Sequence, residues 1–173
     1  EILTRYARHV ETGAPLPAEL AAALQAGPGA DQARETVSFL AATWLDLAWH
    51  RLTPNEVDDA IRDIDAFEAR ALGAVGLDLA TVPPRYRSRY FNHIFASGYA
   101  AGYYSYLWSE ILDADTVEWF GEHRARLREA GDEFREALLC RGGSGSEMGY
   151  FESFRGRPPR IEPLLRRRGL LNL

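Results

Sequence analysis

The sequence contains no lysine; all 20 of its basic residues are arginine. A P-loop ATPase, which needs a lysine on the phosphates, and a Schiff-base enzyme, which needs a primary amine, are thereby excluded. Cysteine occurs once, at Cys140, so no disulfide framework and no thiolate zinc site can form within the chain. No apolar run approaches the roughly 20 residues that cross a bilayer, and no leader of the secretory type opens the sequence. These absences predict a soluble protein with no membrane partner in a reducing, cytoplasmic compartment. Methionine also occurs once, at Met148, and the chain opens on Glu1. The expectation is a processed, cut or deliberately shortened product.

Against those absences stand 173 residues, of which 46% are apolar and 26% charged. That is enough for one domain of ordinary size around a real core. The net charge of −5 is unevenly spread: residues 1–80 hold 13 acids and 6 arginines, residues 81–173 hold 12 acids and 14 arginines. The second half could meet phosphate or carboxylate, but its excess is too small for a nucleic-acid binder. No nucleic-acid partner is expected.

Periodicity predicts an all-α protein. Ile2, Leu3, Tyr6 and Val10 have helical spacing before Gly13 and Pro15 interrupt it. Pro17–Gln25 reads as an alanine-rich helix ended by Gly27-Pro28-Gly29. Asp31 is a candidate N-cap for a helix to about Arg51, with Phe39, Leu40, Trp44, Leu47 and Ala48 on one stripe. Pro54 starts a helix in which Val57, Ile61, Ile64, Phe67 and Leu72 step along one face. Residues 85–99 have no clean period. Helices are expected over Tyr99–Phe120 and about Arg124–Leu139, then a glycine-serine loop at Arg141–Gly145 and a tail of turns with a stub of helix.

Residues 90–112 carry the most information. Tyr90, Tyr99, Tyr103, Tyr104, Tyr106 and His93 crowd into 17 positions with Gly98 and Gly102. A core helix does not need so many phenols, because each buried hydroxyl requires a partner. On a continuous helix Tyr99, Tyr103 and Tyr106 point within about 60° of one another, and Tyr104, Leu107, Trp108 and Ile111 form a second stripe suited to the core. Two readings of the first row stand side by side: ordinary half-buried tyrosines, or hydroxyls converging on one point. Tyrosine, with a pKa ordinarily near about 10, is a donor at neutral pH, and donors aimed at developing negative charge suit oxyanion stabilisation. Gly98 and Gly102 would let the loop bend and the backbone approach a ligand.

Other patterns carry less. Asp58, Asp59, Asp63 and Asp65 lack the spacing of a calcium loop and read as a solvated face, with Asp58 and Arg62 placed for an ion pair. Gly142–Ser146 follows a helix, lacks lysine and reads as a connector. Cys140 has no base in view and is expected to be a buried thiol. His50 is expected to cap a helix or be satisfied in the core, and His9 and His123 to lie at the surface. Arg85, Arg87 and Arg89 could hold a peptide carboxylate, although ion pairs with the acidic helices are the stronger reading.

The string His93-Ile-Phe-Ala-Ser-Gly98-Tyr99-Ala-Ala-Gly102-Tyr103-Tyr104-Ser-Tyr106-Leu-Trp108 closely resembles the C-terminal catalytic segment of the M3 zinc metallopeptidases, the thimet oligopeptidase family. It is most similar to the bacterial peptidyl-dipeptidase branch, which has the same six-residue step from His to the first Tyr. The segments Arg5–His9, Pro83–Ser88, Phe134–Glu136, Arg141-Gly142, Arg155–Arg157, Pro163–Leu165 and Arg168–Leu170 also fit it. The resemblance implies that Tyr106 donates a hydrogen bond to the tetrahedral oxyanion and that His93 lies near the substrate backbone and transition state. It implies that Tyr99 and Tyr103 line the cleft, and that the loop from Ala96 to Gly98 settles over bound peptide.

The family's His-Glu-x-x-His and later Glu are missing: His9, His50, His93 and His123 include no pair four apart and none followed by Glu. Residues 1–173 therefore read as the C-terminal helical portion of such a peptidase, beginning shortly after the third zinc ligand. By this reading zinc belongs to the full-length parent, and this chain alone binds none and cuts nothing. Its partners are short peptides and the upstream half of the same peptidase, and faces that meet that half would drive self-association of the isolated piece. The alternative is a stand-alone remnant that binds peptides or a partner without catalysis.

Overall fold

The computed structural model describes residues 2–26, 31–96 and 98–171. The described residues form helices and turns, with a single isolated antiparallel bridge between Arg8 and Pro15. Two short helices, α1 (Ile2–Tyr6) and α2 (Ala18–Ala26), precede the central helix α3 (Gln32–His50). The break expected at Gly27–Gly29 lies outside the described residues. Asp31 does not cap α3 through its side chain; its Oδ1 instead accepts from Arg34 Nε at 3.2 Å.

The helix expected from Pro54 to Leu72 is two helices, α4 (Pro54–Arg62) and α5 (Ile64–Gly73). Asp63 makes the break. Its backbone leaves the helical region (φ −141°, ψ 83°), and its Oδ1 accepts the Ala66 N–H at 3.0 Å to cap α5. Arg62 accordingly pairs with Asp59 and not with Asp58. The start of α4 is closed by a reciprocal Thr53–Glu56 box behind Pro54.

A 3-10 turn at Ser88–Tyr90 and the short helix α6 (Asn92–Phe95) lead to the long helix α7 (Ser105–Glu122). Then come α8 (Leu127–Ala137), α9 (Glu147–Arg155) and α10 (Glu162–Arg167), with α10 packed on α7 and α9 on α8.

The α3 helix sits at the centre because its faces are apolar over most of their circumference. One side packs Ala41 and Leu45 on Leu72 of α5, with the Trp44 indole donating to the Ala71 carbonyl at 2.8 Å. The other packs Phe39 and Ala42 on Phe91, Ile94 and Tyr103. Fully burying such side chains contributes about 1.5–3 kcal/mol each.

The charged groups close the far end. Asp115 of α7 is fully buried and accepts from Arg155 Nε (2.8 Å), from both terminal nitrogens of Arg157 (2.7 and 2.6 Å) and from the Arg160 N–H (2.9 Å). Arg155 also holds Glu122 bidentately. Arg168 bridges Glu110 of α7 and Thr36 of α3. The arginines of the tail thus fasten α7 in place.

Cys140 is exposed, contrary to the buried thiol expected of it; it sits on the 3-10 turn Leu139–Arg141 that follows α8. His123 is half-buried and stacks on Trp119 at 4.2 Å, so it is not a free surface residue.

Candidate functional site

The tyrosine segment departs most from the helix expected over Tyr99–Phe120. Helix α7 begins only at Ser105, and residues 98–104 form successive turns. Gly98 has φ +76°, a left-handed conformation that glycine adopts without penalty. A side chain at Gly102 would place its Cβ 3.1 Å from the Tyr99 carbonyl oxygen, so glycine allows this tight turn. Ala101 has φ +54°, unusual for a residue with a Cβ.

What holds the turn is Asp46, on the buried face of α3. Its carboxylate is fully buried, and it accepts the Ala101 N–H at 2.9 Å and the Tyr103 N–H at 2.8 Å. His50 Nδ1 lies 2.9 Å from the same carboxylate and 2.8 Å from the Asp46 carbonyl, which satisfies that histidine. Two backbone donors of the turn are thus satisfied by a side chain from α3. The sequence carries a mark of this: Asp46 is the lone charged residue in the run from Phe39 to Trp49. Sequence reasoning passed over it because it fits the helical period as well as any neighbour.

The turns bring the expected side chains together by a different route from a helix face. His93, from α6, is the hub. Its Nε2 lies 3.1 Å from the Tyr106 hydroxyl, its ring stacks on Tyr99 at 4.8 Å between centroids, and Tyr103 meets it edge-on at 6.0 Å. Tyr103 and Tyr106 are 5.1 Å apart. Tyr99 and Tyr106 are half-exposed, whereas Tyr103 is 6% exposed and belongs to the core. Burial pushes the Tyr103 hydroxyl pKa above its ordinary value; Arg85 opposes this, and Tyr86 and Tyr106 reinforce it.

Tyr104 and Trp108, expected in the core, are instead exposed, while Leu107 of that stripe does pack on the core. Tyr104 belongs to the turns that precede Ser105, so a helical period does not apply to it; Trp108 lies within α7, at the edge of the stripe that Leu107 turns to the core. Ser97 lies outside the described residues, so the loop expected from Ala96 to Gly98 is described only at its ends.

A cleft of about 360 Å³ opens beside the hub. Its walls include His93, Tyr103, Tyr106, Arg85, Tyr86 and Glu110; Tyr99 stands behind His93 and does not line it. Sequence reasoning singled out the first three, weighed Arg85 and noted Tyr86 only as part of the Pro83–Ser88 segment; it missed Glu110, which has no local motif. Arg87 and Arg89 pair with Glu68 and Asp65 of α5 at 3.0 and 2.9 Å. Glu68 is buried and also accepts the Ser88 N–H at 2.5 Å, which ties the approach to α6 onto α5.

Chemically, the cleft presents a phenol hydroxyl coupled to an imidazole, three further phenols (Tyr103, Tyr86 and Tyr90) and a guanidinium. It can donate hydrogen bonds to a carbonyl oxygen or an anion. Among the described residues no three His, Cys, Asp or Glu side chains gather where they could hold a metal ion. No described helix is long and apolar enough to cross a membrane.

Comparison with known proteins gives these features a context. The model for Peptidase family M3 matches residues 1–170. The chain is 45% identical over 170 residues to a dipeptidyl carboxypeptidase of Escherichia coli, covering 98% of this chain and 24% of that protein. It is 36% identical over 173 residues to oligopeptidase A of Haemophilus influenzae, covering 99% of this chain and 25% of that one. An organellar oligopeptidase A of Arabidopsis thaliana is 35% identical over 178 residues, with coverage of 99% and 22%. The chain therefore spans about a quarter of the length of these relatives.

Proposed function

The chain belongs to peptidase family M3, and from that premise we propose that it is the substrate-binding and transition-state-stabilising part of a peptidase acting on short peptides. The observation that carries the reading is the Tyr106–His93 hydrogen bond at the wall of the cleft. With His93 Nε2–H donating to the Tyr106 oxygen, the phenol proton is free to point into the cleft. A hydroxyl that accepts one hydrogen bond is a better donor in the next. Tyr106 is then the catalytic residue that donates to the oxyanion formed when the scissile carbonyl becomes tetrahedral. His93 touches the same peptide group and sets the phenol's orientation. Tyr103 closes the floor, Tyr99 backs the imidazole, and Gly98 gives the covering loop its turn.

The metal that the family resemblance implies is zinc. This reading assigns its ligands to the part of the longer relatives that the present chain does not span, and the chain alone is expected to be inactive. The attack on the carbonyl is supplied there; the residues here bind, orient and stabilise. A carboxypeptidase name on a relative at 45% identity supports release of C-terminal dipeptides as the preferred mode.

The test is Tyr106→Phe in the full-length protein. Removing a bond made mainly in the transition state lowers kcat with little change in KM, by about 100-fold or more if Tyr106 matches a typical oxyanion donor. A kcat equal to that of the native protein would remove Tyr106 from this role. The alternative reading is a non-catalytic peptide-binding remnant. It would be favoured by peptide binding without hydrolysis in the full-length protein.

A further inference from the structure

One imidazole stands behind the site without entering it. His50 ends α3 and does not line the cleft. Its Nδ1 lies 2.8 Å from the Asp46 carbonyl oxygen and 2.9 Å from the Asp46 carboxylate. A carbonyl oxygen only accepts, so Nδ1 carries a hydrogen and donates to this pair of oxygens, whether or not the ring is charged.

The carboxylate that receives this hydrogen is the one that holds the turn before α7. Asp46 is fully buried, and its two oxygens accept the Ala101 and Tyr103 N–H groups. Those donors are neutral, and a buried carboxylate has lost the water that would otherwise solvate it. Among the described residues, His50 is the only basic side chain within ion-pair distance of it. Ala101 and His50 meet Oδ1 while Tyr103 meets Oδ2, so three donors fix the plane of the carboxylate. The Tyr103 carbonyl in turn accepts the Tyr106 N–H at 3.3 Å. The phenol of Tyr106 is thus two backbone contacts from the imidazole of His50.

The same ring reaches the support of His93. It lies 5.6 Å from the Phe95 ring, between centroids, and Phe95 ends α6, the four-residue helix that carries His93. So short a helix has no stability of its own and takes its position from what it packs on. Trp49, beside His50, meets Phe95 edge-on at 5.8 Å and donates from its indole to the Ser88 hydroxyl at 2.6 Å.

We propose that His50 is a positioning residue: it braces the turn at 98–104 through Asp46 and α6 through Phe95, and so sets the register of the Tyr106–His93 hydrogen bond. This rests on the peptidase reading of that bond and deepens it by a side chain outside the cleft.

The experiment uses the full-length protein. His50→Leu removes the donor and keeps an apolar body against Phe95; His50→Asn keeps an N–H near the place of Nδ1. On a short peptide, His50→Leu is expected to lower kcat about tenfold or more, the worth of a hydrogen bond to a carboxylate, with little change in KM. His50→Asn should restore most of that loss. With Tyr106→Phe already in place, His50→Leu should cost less than about threefold, because residues acting through one bond are not additive. A native kcat in His50→Leu, or the same fold loss with and without the Tyr106 hydroxyl, overturns the inference.

Amide exchange of the segment 98–104 is followed by mass spectrometry on the same proteins. It should be about tenfold faster in His50→Leu and close to native in His50→Asn. Exchange indifferent to His50 overturns the inference whatever the kinetics. If the native protein cuts no peptide, the peptidase reading falls and the exchange alone decides this one: protection that depends on His50 keeps it, and protection that does not removes it.

Discussion

Asp46→Asn interrogates the arrangement of the cleft most directly, because it changes a residue that lines none of it. In the native protein the two carboxylate oxygens each accept one backbone N–H, from Ala101 and from Tyr103. Asparagine offers one oxygen and one amino group in the same volume. One N–H must then face another donor, and a stranded buried donor costs about 1–3 kcal/mol. The surviving bond also loses its charge assistance, which makes such bonds roughly twice as strong as neutral ones. Ala101 meanwhile remains in a left-handed conformation that costs roughly 1–2 kcal/mol.

A net change of about 2–3 kcal/mol against the native turn follows, or roughly 30- to 150-fold in a rate that needs the turn intact. The assay is kcat/KM of the full-length variant on a short peptide, at a temperature well below its melting point. We expect kcat to carry most of the fall, because Tyr106 and His93 lose their mutual register. A kcat/KM within about threefold of native, less than 1 kcal/mol, would show that the turn stands without the carboxylate.

The remaining expectations concern stability and association. Burial alone would raise the Asp115 carboxyl, but hydrogen bonds from Arg157, Arg155 and the Arg160 N–H hold it down at about 2. Its folded pKa is thus below the unfolded value near about 3.9, so its contribution, roughly 2 kcal/mol, is complete above about pH 4 and is lost as pH falls from there toward 2. Urea midpoints measured between pH 6 and pH 2 should fall more steeply for the native protein than for Asp115→Asn; parallel curves would refute the assignment. At neutral pH, Asp115→Asn should itself cost about 3–5 kcal/mol, since it leaves two guanidinium groups facing a neutral partner. The isolated 173-residue chain exposes Leu3, Val10, Leu20 and Leu24 by 53%, 96%, 55% and 63%, and is expected to self-associate. A clean monomer over a broad concentration range in sedimentation would count against that.

The helical class, the long central helix and the crowding of His93 with three tyrosines were legible in the sequence, because apolar periodicity and residue type are local signals. The break at Asp63 was not, because an aspartate on an exposed helix face and an aspartate capping a new helix look alike until the backbone is seen. The turn at residues 98–104 was missed for a related reason. The partner that makes it favourable, Asp46, lies 55 residues from Ala101, and no window reads across that distance. Hence the tyrosines met at His93 as expected, but Tyr103 did so from the interior and Tyr104 turned outward. The pairing of Arg87 and Arg89 with α5 was anticipated in kind. The exclusion of Arg85 from that pairing was not, since three arginines at alternate positions are equivalent on paper.

The bridge from Arg168 to Thr36 and Glu110 bears on the order in which the protein is made. Thr36 and Arg168 are 132 residues apart. At about 5–20 residues per second of synthesis, α3 waits on the order of ten seconds for the residue that braces it. Over that interval Glu110 of α7 also stands without its arginine, so the seam between α3 and α7 is closed only when the last helix docks.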